Sequence, residues 1–183
     1  GADNPCGPPT GACGEPATLI SEVQGEGFTS PLAGTQVVIE GVVVGDFQDN
    51  AVPDGGNLGG FFVQEEVDDT DNNPLTSEGV FVYDGDFGVN VEVGDRVRIN
   101  GIASEYFDLT EIGSLTDVLI CDNNNSISPT DVTLPESVDG ELERYEGMLV
   151  RIANDMTVAQ NYFLGRYGQM TLACVAAGGA VLA

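Results

Sequence analysis

The stretch TQVVIEGVVVGDF, residues 35–47, is β-branched almost throughout and is interrupted by Gly41 and Gly45. Such a run reads as a central strand, and glycines inside it mark where a strongly coiled strand bends or bulges. Two shorter segments, GGFFVQEE (59–66) and EGVFVYDG (78–85), repeat the pattern; each enters from glycine and leaves into acid, so they are expected to pair as a hairpin. In VGDRVRINGIASEYFDLTEI (93–112) the alternation is stricter, with Val97 and Ile99 on a core face, Arg96, Arg98 and Asn100 outside, and Gly101 bending the strand onward.

Working outward, TLISEVQG (18–25) predicts a short first strand, LTDVLI (115–120) another, and DVTLP (131–135) an edge piece closed by proline. Residues 136–147 have the only helix-like composition, enough for one or two turns, and GMLVRIAN (147–154) and YFLGRYGQMTLA (162–173) supply the last strands. Short strands separated by Gly, Asn and Asp turns predict an all-β closed sheet, a five-stranded OB-fold-like Greek-key barrel. An immunoglobulin-like sandwich would want a buried tryptophan, and the chain has none. The expected organisation is a Cys/Gly/Pro-rich arm over 1–16, the barrel over 17–173 and an apolar tail over 174–183.

Charge narrows the function. Against 30 Asp and Glu stand five cations, all arginine (Arg96, Arg98, Arg144, Arg151 and Arg166), a formal net charge of −25. Nucleic-acid binding draws most of its affinity from Lys and Arg that neutralise phosphates, so a polyanion should be repelled. The absence of histidine removes His-based triads and imidazole acid/base chemistry, and no enzyme activity is expected.

The quoted segments, with ATLISEVQGEGFTSPLAG before them and LERYEGMLVRI and NYFLGRYGQMTL after, together resemble the OB-fold-like domain that precedes the endonuclease/exonuclease/phosphatase domain in large secreted bacterial nucleases. The resemblance runs over roughly residues 17–173 and implies fold, not activity. The family's phosphodiester chemistry sits in a separate downstream domain that these residues do not contain.

Four cysteines, Cys6, Cys13, Cys121 and Cys174, lack zinc-knuckle spacing and read as disulfides. CGPPTGAC can close on itself, so Cys6–Cys13 with Cys121–Cys174 is the favoured pairing; buried thiols and a crosslink between chains are the alternatives. Gly1-Ala2-Asp3-Asn4 reads as an exposed start left after removal of a secretory leader, and no apolar run is long enough to span a bilayer, so the expectation is a secreted product.

Among candidate sites, Asp69, Asp71 and Asn73 place hard oxygen donors on alternate positions, which suits calcium. This is not an EF-hand, because Pro74 stands where that loop needs glycine and Val80 where it needs glutamate; the competing reading is a solvated acidic turn. Asp46, Asp49, Asn50 and Asp54, and the hairpin tip with Asp84 and Asp86, read as solubilising surface. Tyr106, Tyr162, Tyr83, Phe107, Phe163 and Tyr167 are candidates for a stacking platform, with Arg96, Arg98 and Arg166 beside it; against that stands a core of phenylalanines with a tyrosine rim. Asn124-Asn125-Ser126 is an N-x-S acceptor.

The tail TLACVAAGGAVLA (171–183) stays apolar and uncharged, and suits an extra strand of its own barrel or strand donation to an edge on a neighbour. Two functions follow as expectations. One is a noncatalytic secreted structural module that self-associates through its terminal segments into an extracellular fibre or matrix. The other is an accessory nucleic-acid- or polysaccharide-binding domain of an extracellular nuclease.

Overall fold

The computed structural model describes residues 8–48, 58–85, 87–167 and 169–174. Cys6, Asp49, Asn50, Asp54, Asp86, the Tyr167 side chain and residues 175–183 of the tail, all singled out above, lie outside the described residues. The protein is mostly β. Five strands, β1 (Gln36–Phe47), β2 (Gly60–Gln64), β3 (Gly79–Tyr83), β4 (Arg96–Tyr106) and β5 (Leu109–Asp122), close into a barrel in the order β1-β2-β3-β5-β4. β2 and β3 form the expected antiparallel hairpin, β1 pairs with both β2 and β4, and β3 runs parallel to β5 at Phe81↔Glu111 and Val82↔Ile112.

The barrel is filled from alternate positions: Val37, Ile39 and Val43 of β1, Phe61 and Val63 of β2, Val80 and Val82 of β3, Val97, Ile99 and Ala103 of β4, and Ile112 of β5. Alternation therefore sends Phe62 and Phe81 outward. Of the three glycines suspected of irregularity, Gly45 and Gly101 lie at register shifts, whereas Gly41 pairs regularly with Val97. Register shifts between Val43 and Gly45, and again between Asn100 and Ile102. A Cβ on Gly101 would come within 2.7 Å of Ile112 Cγ2, so only glycine lets β4 and β5 approach there.

Several sequence expectations are corrected. Residues 18–25 do not form a strand; Ile20–Gln24 is a one-turn helix, α1, whose Ile20 and Val23 seal the barrel core. Apolar positions three apart serve a helix as well as they serve an irregular strand. Residues 93–112 were expected to continue as one strand bent at Gly101, with a separate strand at 115–120, whereas the chain reverses at Phe107 and Asp108, both with positive φ, making β4 and β5 a hairpin.

After β5, short elements follow: β6 (Thr130–Val132), a 3-10 turn at Glu141–Tyr145, β7 (Val150–Ile152), β8 (Met156–Gln160), the helical turn α2 (Leu164–Tyr167) and β9 (Thr171–Cys174). β6 pairs with β7 and β8 with β9 in two separate two-stranded sheets. β8 was not foreseen, and residues 164–167 turn as helix where strand was expected.

Candidate functional site

Arg98 was expected on a ligand-binding face and is instead buried, 2% exposed. Its guanidinium donates to the carbonyl oxygens of Thr10, Glu15 and Pro16 at 2.5–3.0 Å and to Glu40 Oε2 at 2.9 Å. Residues 8–16 lie as a strap over the outer face of β1 and β4, and Arg98 satisfies their backbone. Beside it, Arg96 bridges Glu40 at 2.9 Å and Asp122 at 2.6 Å. Arg98 is thus spent on the strap, and Arg96 is held between two carboxylates.

The same strap decides the disulfide. Cys13 bonds Cys121, with Cα atoms 5.6 Å apart, so the favoured Cys6–Cys13 and Cys121–Cys174 pairing is overturned. The reason is the strand register. Arg96 pairs with Asp122 and Val97 with Ile120, which leaves Cys121 as the extra residue of a bulge, under the strap that Arg98 holds. Cys174, at the end of β9, has no disulfide partner among the described residues.

The open part of the barrel lies over β2, β3 and β5. Here a groove of about 400 Å³ is walled by Phe62, Phe81, Tyr83 and Tyr106, with Leu58 and Leu109 between them and Glu111 at its margin. The Phe62 and Phe81 rings are 5.0 Å apart, and Phe47 meets Phe62 edge-on at 5.8 Å. The bulge in β1 makes this row, because strict alternation after Val43 would turn Phe47 inward; the inserted residue puts it opposite Gly60, on the outer face. The Phe81 ring lies over Gly60, where a Cβ would come within 2.7 Å of it. Tyr106 is 60% exposed and Phe107, packed edge-on against it, 89%. Burial raises the Glu111 carboxyl above its usual range against a hydrogen bond from Ser104. The groove is thus apolar, aromatic and nearly uncharged on a strongly acidic molecule.

Of the suspected stacking platform, Tyr83 and Tyr106 come together in this groove. Tyr162 and Phe163 form their own edge-on pair, centroids 4.9 Å apart, in the connection between β8 and β9, with Arg166 exposed on α2. Sequence reasoning missed Phe62 and Phe81 as groove walls. The available signal was that Phe81 alternates with Val80 and Val82, so it cannot share their side of the strand.

The acidic loops are occupied by their own architecture. Asp71 Oδ1 accepts from the Asn73 amide at 2.7 Å, and the Thr76 hydroxyl donates to both Asp71 oxygens. Asn73 Oδ1 accepts from the Leu75 amide at 3.1 Å. The oxygens expected to face calcium thus cap a turn. Asp69 is exposed, and among the described residues no group of three His, Cys, Asp or Glu side chains is placed to hold a metal ion. Asp46 and Asp84 bond Gln48, which also anchors Val89 and Val91. Of the carboxyls displaced upward, chiefly by burial, three move furthest: Glu65 to about 8, with Asp69 and Glu78 adding like charge; Glu78 to about 7, beside Asp71; and Glu146 to about 7. Glu65 still accepts from the Ile20 amide at 2.5 Å, capping α1.

The C-terminal hairpin is built differently. Val158 and Leu172 are cross-strand partners and stand 53% and 50% exposed, with Met170, Phe163 and Leu164 also open to solvent. No third strand joins β8 and β9 among the described residues. Comparison of the chain with family models, curated proteins and solved structures finds no match.

Proposed function

We propose that this chain is a noncatalytic, secreted structural module that self-associates into an extracellular fibre or matrix, with an OB-fold-like barrel as its body. The strand order β1-β2-β3-β5-β4 supports that description of the barrel. The intrachain disulfide supports an oxidising compartment, and among the described residues no helix is long and apolar enough to cross a membrane.

One observation carries the association: the β8–β9 hairpin, a two-stranded sheet with paired apolar side chains in water. Such a hairpin is marginal by itself and gains stability from a third strand or a covering surface, and an unpaired strand edge templates further pairing. Sedimentation velocity over a concentration series at high ionic strength tests the reading. Wild-type chain should form growing multimers, and a Val158→Glu/Leu172→Glu variant should remain monomeric. Monomers at every wild-type concentration would remove the proposal.

The aromatic groove favours a second reading, an accessory polysaccharide- or nucleic-acid-binding domain of an extracellular nuclease, since ring faces stack sugars and bases alike. Phosphate recognition draws little support: Arg96, Arg98, Arg144 and Arg151 are each held by carboxylates. Retention of an oligonucleotide or neutral glycan that disappears on changing Tyr83 and Tyr106 to alanine would favour it.

A further inference from the structure

We infer that the aromatic groove over β2, β3 and β5 is the seat for the C-terminal hairpin of a second copy of this chain. The inference rests on the self-association reading and names the surface that receives the contact. Charge selects the pair of surfaces. Residues 1–155 carry all 30 acidic side chains and four arginines (4 − 30 = −26), whereas residues 156–183 carry one arginine and no acid. Two copies repel wherever their acidic surfaces meet, so association must bring together the parts that carry least like charge. On the barrel that part is the groove, with a single carboxylate, Glu111, at its margin, and the adjoining hollow that shares Phe62 with it and is lined by Val44, Gly45, Phe47, Gly147, Met148 and Leu149 without any carboxylate. Elsewhere it is the hairpin, which is acid-free and net cationic.

The chemistry also matches. The groove offers aromatic ring faces, and the hairpin offers Val158 and Leu172 side by side with Met170 near its turn. Aliphatic groups seated against rings remove apolar area from water on both partners. Groove and hairpin are different surfaces, so the contact is heterologous: each joined copy still presents one unused groove and one unused hairpin. Growth then continues head to tail.

Complementation of two single-face variants tests this. Tyr106→Glu and, independently, Leu58→Glu place a charge at exposed groove positions, and Leu172→Glu does so on the hairpin; circular dichroism checks that each is folded. The expected result is association weakened about tenfold or more in each variant alone. An equimolar mixture of Tyr106→Glu with Leu172→Glu should form dimers that do not extend, because one intact groove meets one intact hairpin. Groove variants that assemble like wild type while Leu172→Glu is monomeric would overturn the inference and leave self-association standing, as hairpin-to-hairpin pairing. A mixture that stays monomeric would also overturn it. A neutral oligosaccharide whose binding is lost in Tyr106→Glu but which leaves the wild-type multimer intact would assign the groove to a glycan instead and overturn the inference. Wild-type chain that never associates would remove both readings.

Discussion

Arg98 Nη1 lies 2.9 Å from Glu40 Oε2, beneath a strap whose carbonyls at Thr10, Glu15 and Pro16 all accept from the same guanidinium. A planar fork of donors suits this task, and a lysine or methionine cannot replace it. Arg98→Met leaves three carbonyls without their donor and weakens the neutralisation of Glu40. The expected loss is about 3–5 kcal/mol, the usual cost of breaking a buried ion pair. Urea unfolding followed by circular dichroism measures it, and a loss below 1 kcal/mol would show that the strap does not depend on Arg98.

The disulfide acts on the same strap by another route. Cys13 and Cys121 are separated by 108 positions, so the bond removes substantial entropy from the unfolded chain. Reduction, or Cys13→Ser, should lower stability by about 2–5 kcal/mol. Limited proteolysis of the reduced protein should cut first in the N-terminal strap, and resistance there would mean that Arg98 alone holds it.

Acid should stabilise this protein, opposite to the common case. Glu65, Glu78 and Glu146 titrate at about 8, 7 and 7 in the folded protein against an ordinary value of 4.5. The folded state therefore binds more protons than the unfolded chain between about pH 4.5 and 8. Their contribution is full below 4.5 and lost as pH rises through the folded values. Melting temperature should fall from pH 5 to pH 8.5, and Glu65→Gln, which keeps an acceptor for the Ile20 amide, should flatten the profile. A profile rising over that interval in both proteins would refute the assignment.

Salt should help as well. A formal charge of −25 repels itself in the compact state, and counterions screen that repulsion. Raising sodium chloride from low to moderate concentration should increase the melting temperature by a few degrees, about 2–4 °C per kcal/mol in a chain of this size. Potassium glutamate at equal ionic strength separates screening from specific cation binding.

How much could be read beforehand depended on whether the deciding interaction was local. β1, β2 and β3 were legible because branched and aromatic residues dominate each run and glycines bound or interrupt it. The hairpin of β2 and β3 and the glycine irregularities in β1 and β4 followed from the same pattern. The α1 turn was not legible: its apolar spacing fits two conformations, and contact with the barrel core chose between them. The ligand-face assignment of Arg98 failed for a related reason. Alternation correctly sends its side chain outward, but only the folded chain shows that the outside is roofed by residues more than 80 positions away.

By itself, the order of residues determined the mostly β character and the acidic surface, because strand alternation and charge are properties of neighbours and of composition. Disulfide partners, the buried arginine and the aromatic groove were decided only in three dimensions. Each depends on which outer face of a closed sheet a distant segment covers, and on a single inserted residue in β1 that turns Phe47 from the inside to the outside.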